Sequence, residues 1–209
     1  MKYRLVIWDV DGTLLDTREG LTAAYQYTLN VLKLPPKTDE KIRSYIGPTP
    51  QTIFKTHFGL NDETAQQATD IFRERYKTHN LLKARVYDGV YGAMGSLRAH
   101  GAKQAVATNK RQDYATEICE HFGFDKYCFP IIGADNDNKL TKADLIKQCL
   151  QTLDTTDVST IVMIGDTQGD KTAAEIVGID FIGVNYGFGF NNVAGYANTP
   201  LDILKLAGE

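Results

Sequence analysis

The sequence of 209 residues has little of what marks several protein classes. It has three cysteines, Cys119, Cys128 and Cys149. They offer neither an even count nor a ligand spacing, which excludes a disulfide framework and a cysteine-held metal. They are read as reduced core side chains. There is no basic excess: 23 lysines and arginines stand against 26 aspartates and glutamates, for a net charge of −3. A chain so balanced has no electrostatic footprint for nucleic acid or an anionic membrane. Long apolar runs are also missing. The first run, Leu5-Val6-Ile7-Trp8, ends at Asp9. It is too short for a signal peptide, and nothing approaches the roughly 20 apolar residues of a membrane span. A cytoplasmic location is expected. The chain has no internal repeat, low-complexity tract or long linker, and its length suits one domain carrying an insertion.

What it does have is a change of hydrophobic period. Tyr3–Trp8 reads as a strand buried on both faces. From Thr17 onward, Leu21, Ala24, Tyr25, Thr28, Leu29 and Leu32 recur at helical steps, until Pro35-Pro36 breaks the pattern. Thr38 reads as the N-cap of a second helix with Ile42, Tyr45 and Ile46 on one side. Ile53–Phe58 reads as a third, closed by Gly59, and Asp62–Lys83 as a fourth. This whole block is expected to be helical, without strands. Strands and helices then alternate. Helices are predicted over Val90–Leu97, Ala115–Phe122, Lys142–Leu153 and Ala173–Val177, with a short one after Asn198-Thr199-Pro200. Strands are predicted over Ala102–Thr108, Tyr127–Gly133, Thr160–Ile164 and Phe181–Val184. Such alternation gives a parallel sheet flanked by helices, here interrupted by the helical block directly after its first strand.

In an open parallel sheet, ligands bind outside the carboxyl ends of the strands. The first strand delivers Asp9-Val10-Asp11-Gly12-Thr13 there, the next Thr108-Asn109-Lys110, and a later one Gly165-Asp166-Thr167-Gln168-Gly169-Asp170. Between the last two lies a lysine-bearing segment, Asn138-Lys139-Leu140-Thr141-Lys142-Ala143-Asp144. Four carboxylates, a hydroxyl and an ammonium from Lys139 or Lys142 would then converge on one edge. Without a cation such carboxylates would be protonated or mutually repelled. An all-oxygen set lacking histidine and cysteine suits Mg²⁺, which readily shares its shell with a phosphate. One carboxylate beside the metal can attack phosphorus to give an aspartyl-phosphate. A second, two residues along, can act as acid for the leaving oxygen and then as base for water. A lone aspartate at a strand end is commonly just a turn or cap residue; the order of all four segments carries the reading.

Those segments resemble the haloacid dehalogenase superfamily, in particular its phosphatases, over nearly the whole chain. Within it, the DGTLLDT start, Ile46-Gly47-Pro48 and Tyr186-Gly187-Phe188-Gly189 are similar to the phosphoglycolate phosphatase group. The resemblance implies an α/β fold: a doubly wound, Rossmann-like core over 1–15 and 87–209, with an α-helical cap over 16–86. It implies Asp9 as nucleophile and Mg²⁺ ligand, and Asp11 as general acid/base that also gives its backbone carbonyl to the metal. Asp166 would ligate Mg²⁺ directly and Asp170 through water. Thr108 would bind phosphate, with Asn109, Gly12, Thr13 and Gly47 as further substrate-binding residues. A lysine would balance the charge. Lys142 is preferred to Lys139 because it opens a helix, although the proline common after that lysine in the family is absent. Trp8 stands where the family usually has phenylalanine. The implied partner is a small phosphorylated metabolite, and the implied state a monomer or homodimer. A β-phosphoglucomutase-like mutase, a pyrophosphatase or a non-catalytic phosphometabolite sensor would share the core. Lys41 and Arg43 are read as solvated helix charges, with pairing to a carboxylate on the leaving group as the alternative, and His57, His79, His100 and His121 as structural or exposed.

Overall fold

A computed structural model describes residues 1–135 and 139–208. The chain divides into two compact units, Met1–Asp16 with Val86–Glu209, and Thr17–Arg85. Among the described residues, no helix is long and apolar enough to cross a membrane.

The first unit is built on a five-stranded parallel sheet. Its strands are β1 (Leu5–Trp8), β4 (Lys103–Arg111), β5 (Ile131–Ala134), β6 (Ile161–Gly165) and β7 (Asp180–Gly183). Two further short strands, β2 (Leu15–Asp16) and β3 (Arg85–Val86), pair where the chain leaves this unit and returns. The sheet order is β5-β4-β1-β6-β7. The chain thus winds outward from β1 through β4 to β5, then crosses back to β6 and β7. That reversal makes a topological switch point between β1 and β6, where open α/β sheets place their ligands. Trp8 is in register with Val106 on one side and Ile164 on the other.

Alternation along β1 splits its side chains between two faces. Leu5 and Ile7 join Ala105, Ala107, Ile161 and Met163 in a core closed by Leu145, Ile146 and Cys149 of α7 (Lys142–Thr152) and Ala173 and Ala174 of α8 (Gln168–Val177). On the other face the fully buried Trp8 donates its indole N–H to Gln104 Oε1 at 3.0 Å. Gln104 in turn donates to the Met94 carbonyl of α5 (Val90–Ala99) at 2.9 Å. Trp8 therefore does more than fill the volume of a phenylalanine: it ties β1 to β4 and α5, and stranding either polar group would cost about 1–3 kcal/mol.

The second unit contains α1 (Arg18–Val31), α2 (Asp39–Arg43), α3 (Pro50–Phe58) and α4 (Asp62–Arg75). The caps expected from the sequence are present. Thr38 accepts from the Lys41 amide, and Gly59 ends α3 at φ +68°. Tyr25 packs against Phe72 and Phe54, with ring centroids 4.4 and 5.6 Å apart.

Five elements differ from the sequence reading. The fourth helix ends at Arg75 and continues as a π-helical turn, Tyr76–Asn80. The helical block is bounded by β2 and β3, too short to leave an alternating pattern. The strand predicted from Tyr127 begins only at Ile131, because the Tyr127 and Cys128 amides fold back onto the Phe124 carbonyl. Finally, α8 starts at Gln168, since Thr167 and Asp170 form a capping box that adds a turn before the apolar stripe.

Candidate active site

The carboxyl edge of the sheet gathers Asp9, Asp166 and Asp170, whose carboxylate oxygens lie within 4.8 Å of one another. Asp9 is held one rung beyond β1 by donation from its amide to the Ile164 carbonyl at 3.0 Å. Asp166 directly follows β6, and Asp170 is the third residue of α8. All three are buried, at 6, 0 and 2 % exposure. Lys142 enters the same cluster, with Nζ 2.5 Å from Asp9 Oδ1 and 2.9 Å from Asp170 Oδ1. Its backbone position is fixed by a capping box at the start of α7, where Thr141 and Asp144 exchange hydrogen bonds. That box starts the helix without a proline after the lysine.

One ammonium among three buried carboxylates leaves negative charge uncompensated. Burial pushes Asp9 upward against the pull of Lys142, and the Asp170, Asp166 and Asp11 charges add to the rise. Asp166 is pushed up to about 6, mainly by burial, against hydrogen bonds from the Phe188 and Gly189 amides. For Lys142, burial works against the charged form, but Asp170 and Asp9 outweigh it and hold the side chain protonated. A buried, oxygen-only set with excess negative charge fits a hard dication.

Asp11 takes a different partner. Its Oδ1 lies 3.1 Å from Nζ of Lys110, whose side chain is only 4 % exposed against 24 % for Asp11. The DxD pair is thus divided between two lysines, where the sequence reading allowed for a single ammonium. Lys110 was visible in Thr108-Asn109-Lys110, and like Thr108 it is buried. Thr108 is buried and Asn109 exposed. The Thr108 hydroxyl accepts from the Lys110 amide at 3.2 Å. Gly12 turns at φ +86°, where a Cβ would meet Asp166 Oδ2 at 2.2 Å. Thr13 is buried, its hydroxyl 3.4 Å from Asp166 Oδ1. Gly47 belongs to the second unit, in the loop between α2 and α3, at φ +139°. The Lys139 amide donates to the carboxylate of Asp135, while Asn138 lies outside the described residues. The four histidines are exposed.

A loop that the sequence marked only by likeness completes the site. Phe188 donates its amide to Asp166 Oδ2 at 2.6 Å, and Phe190 donates to the Asp166 carbonyl at 2.9 Å. Tyr186 donates its hydroxyl to the Thr13 carbonyl at 3.1 Å. Glycine is required at 187, where a Cβ would stand 2.3 Å from Asp166 Cβ and 2.4 Å from the Gly12 carbonyl. The loop therefore clamps Asp166 and the turn after β1 together.

The haloacid dehalogenase-like hydrolase family matches residues 6–184. A 5'-nucleotidase of Pseudomonas aeruginosa is 34% identical over 190 residues, covering 90% of this chain and 86% of that protein. A phosphoglycolate phosphatase of Chromobacterium violaceum is 29% identical over 212 residues, covering 97% and 94%. The solved structure of Protein Tyrosine Kinase A (PtkA) from Mycobacterium tuberculosis superimposes with a TM-score of 0.88 at 28% identity, covering 100% of this chain and 99% of that one.

Proposed function

The chain belongs to the haloacid dehalogenase-like hydrolases, and from that premise we propose that it hydrolyses a small phosphate monoester through an aspartyl-phosphate on Asp9. The observation that carries this reading is the position of Asp9. It is buried at the β1–β6 switch point, with Asp166 and Asp170 beside it and Lys142 2.5 Å away. Asp9, Asp166, the Asp11 backbone carbonyl and, through water, Asp170 would hold Mg²⁺, which would supply positive charge to offset that of the phosphoryl group. Lys142 holds the Asp9 carboxylate in place and neutralises charge as the phosphoryl group arrives. Thr108 and Asn109, with the turn at Gly12 and Thr13, hold the remaining phosphate oxygens. Asp9 attacks phosphorus while Asp11 gives a proton to the leaving oxygen. Asp11 then takes a proton from the water that releases phosphate.

Choice among esters is assigned to the helical unit, Thr17–Arg85, in which Gly47 is the candidate substrate-binding residue. Ile46-Gly47-Pro48 and the relative named phosphoglycolate phosphatase support a phosphoglycolate-like ester. The relative named 5'-nucleotidase favours a second reading, a nucleoside 5'-monophosphate. The near-balanced net charge of −3 and the three free cysteines support a cytoplasmic enzyme acting on a metabolite. Phosphate release from p-nitrophenyl phosphate is expected to require Mg²⁺ and to stop on chelation. In a panel, phosphoglycolate should turn over faster than the nucleoside monophosphates. Release that is indifferent to Mg²⁺ would contradict the reading, and preference for a nucleoside monophosphate would select the second ester.

A further inference from the structure

Lys110 has no part in the chemistry described so far, yet the fold goes to some length to place it. It lies past the stretch of β4 that pairs with β1, which ends at Val106. The pairing of β4 with β5 is irregular between Thr108 and Arg111, and such bulges re-aim side chains next to active sites. Gly133 makes this irregularity possible, since a Cβ there would meet the Lys110 carbonyl at 2.6 Å and Gln112 Cα at 2.7 Å. Gln112 locks it, accepting from the Gly133 amide at 2.7 Å and donating to the Ile131 carbonyl at 3.1 Å. The result is an ammonium 3.1 Å from Asp11 Oδ1, more buried than its partner.

We propose that Lys110 is a positioning residue for the second half of the reaction, orienting Asp11 as the base for the attacking water. The inference rests on the roles proposed above for Asp9 and Asp11. A long ammonium side chain anchored at a strand end fixes one carboxylate oxygen, which sets the direction of the whole carboxylate. In the step itself a water oxygen bonds to phosphorus and the bond from phosphorus to the Asp9 oxygen breaks. The water proton passes to Asp11, leaving inorganic phosphate and a free Asp9 carboxylate. Formation of the aspartyl-phosphate from an ester with a good leaving group needs little help from Asp11, because p-nitrophenolate departs without a proton.

The test separates the two half-reactions with p-nitrophenyl phosphate. Lys110→Met should keep a first-turnover burst of p-nitrophenol close to the enzyme concentration, while steady turnover falls about 10- to 100-fold. The phosphoryl adduct on Asp9 should accumulate, as it should in Asp11→Asn. Lys110→Arg should restore part of the steady rate, and Lys110→Gln, which keeps a donor, takes the place of the methionine variant if that one does not fold. Loss of the burst together with the steady rate, or a raised KM without adduct, would overturn the inference. An Asp9→Asn variant run alongside keeps the two readings apart. If it retains turnover, the aspartyl-phosphate reading fails; if it is inactive and Lys110→Met shows no adduct, this inference alone fails.

Discussion

Asp9→Asn is expected to lower Mg²⁺-dependent hydrolysis of p-nitrophenyl phosphate by about 10⁴- to 10⁶-fold, the scale on which removing a covalent nucleophile acts. The amide has the shape of the carboxylate but cannot attack phosphorus, so the loss should fall on kcat. The fold should survive. Lys142 keeps Asp170 at 2.9 Å, and removing one of three crowded carboxylates relieves repulsion. Thermal unfolding of the metal-free variant should therefore occur at or above the wild-type temperature. A variant with native stability and undiminished turnover would remove Asp9 from the chemistry.

Lys142→Met should have the largest effect on stability. It deletes the ammonium between Asp9 and Asp170, and breaking a buried ion pair from one side costs about 3–5 kcal/mol. The dependence on pH follows from protons bound. A carboxyl whose folded pKa lies above its unfolded value holds more protons when folded, so stability falls as pH rises through that interval. Asp9 is already raised by burial against the pull of Lys142, and losing Lys142 raises it further. Asp166, at about 6, adds to the same slope. In urea unfolding without metal, the deficit of Lys142→Met should therefore stay level below about pH 6, the folded value of Asp166, and grow on through about pH 8, that of Asp9. A deficit that is constant with pH would show that the ammonium does not compensate these carboxylates. The variant should also lose most activity, because Lys142 touches the proposed nucleophile at 2.5 Å.

Much of the fold was legible because its signals are local. The apolar runs ending at Asp9 and Gly165 are buried on both faces of the sheet, so they stand out as continuous strands. The caps at Thr38 and Gly59 use side-chain and backbone chemistry that one or two residues declare. What escaped depends on partners far along the chain. β2 and β3 have no face long enough to alternate, and the false start at Tyr127 came from a turn closing on the Phe124 carbonyl.

The candidate site divides the same way. Asp9, Asp166, Asp170 and Lys142 lie at the ends of elements that the hydrophobic pattern locates, so their meeting at one edge could be anticipated. The pairing of Asp11 with Lys110 could not, because it depends on a bulge opposite Gly133 that shifts the register of β4. Nor could the grip of Phe188 on Asp166, which comes from a backbone amide and leaves no mark in residue type. Lys142 needed no proline behind it because Thr141 and Asp144 supply the helix start.

Phosphoryl transfer to Asp9 is the centre of this account, and trapping the intermediate tests it most directly. The Lys110→Met protein, mixed with p-nitrophenyl phosphate and Mg²⁺, would be quenched in acid, digested and mapped by mass spectrometry, with wild type quenched in the first turnover as control. The predicted result is a hydroxylamine-sensitive phosphoryl adduct on the peptide containing Asp9, absent from Asp9→Asn. Turnover without any adduct in either protein, or an adduct confined to another residue, would contradict it.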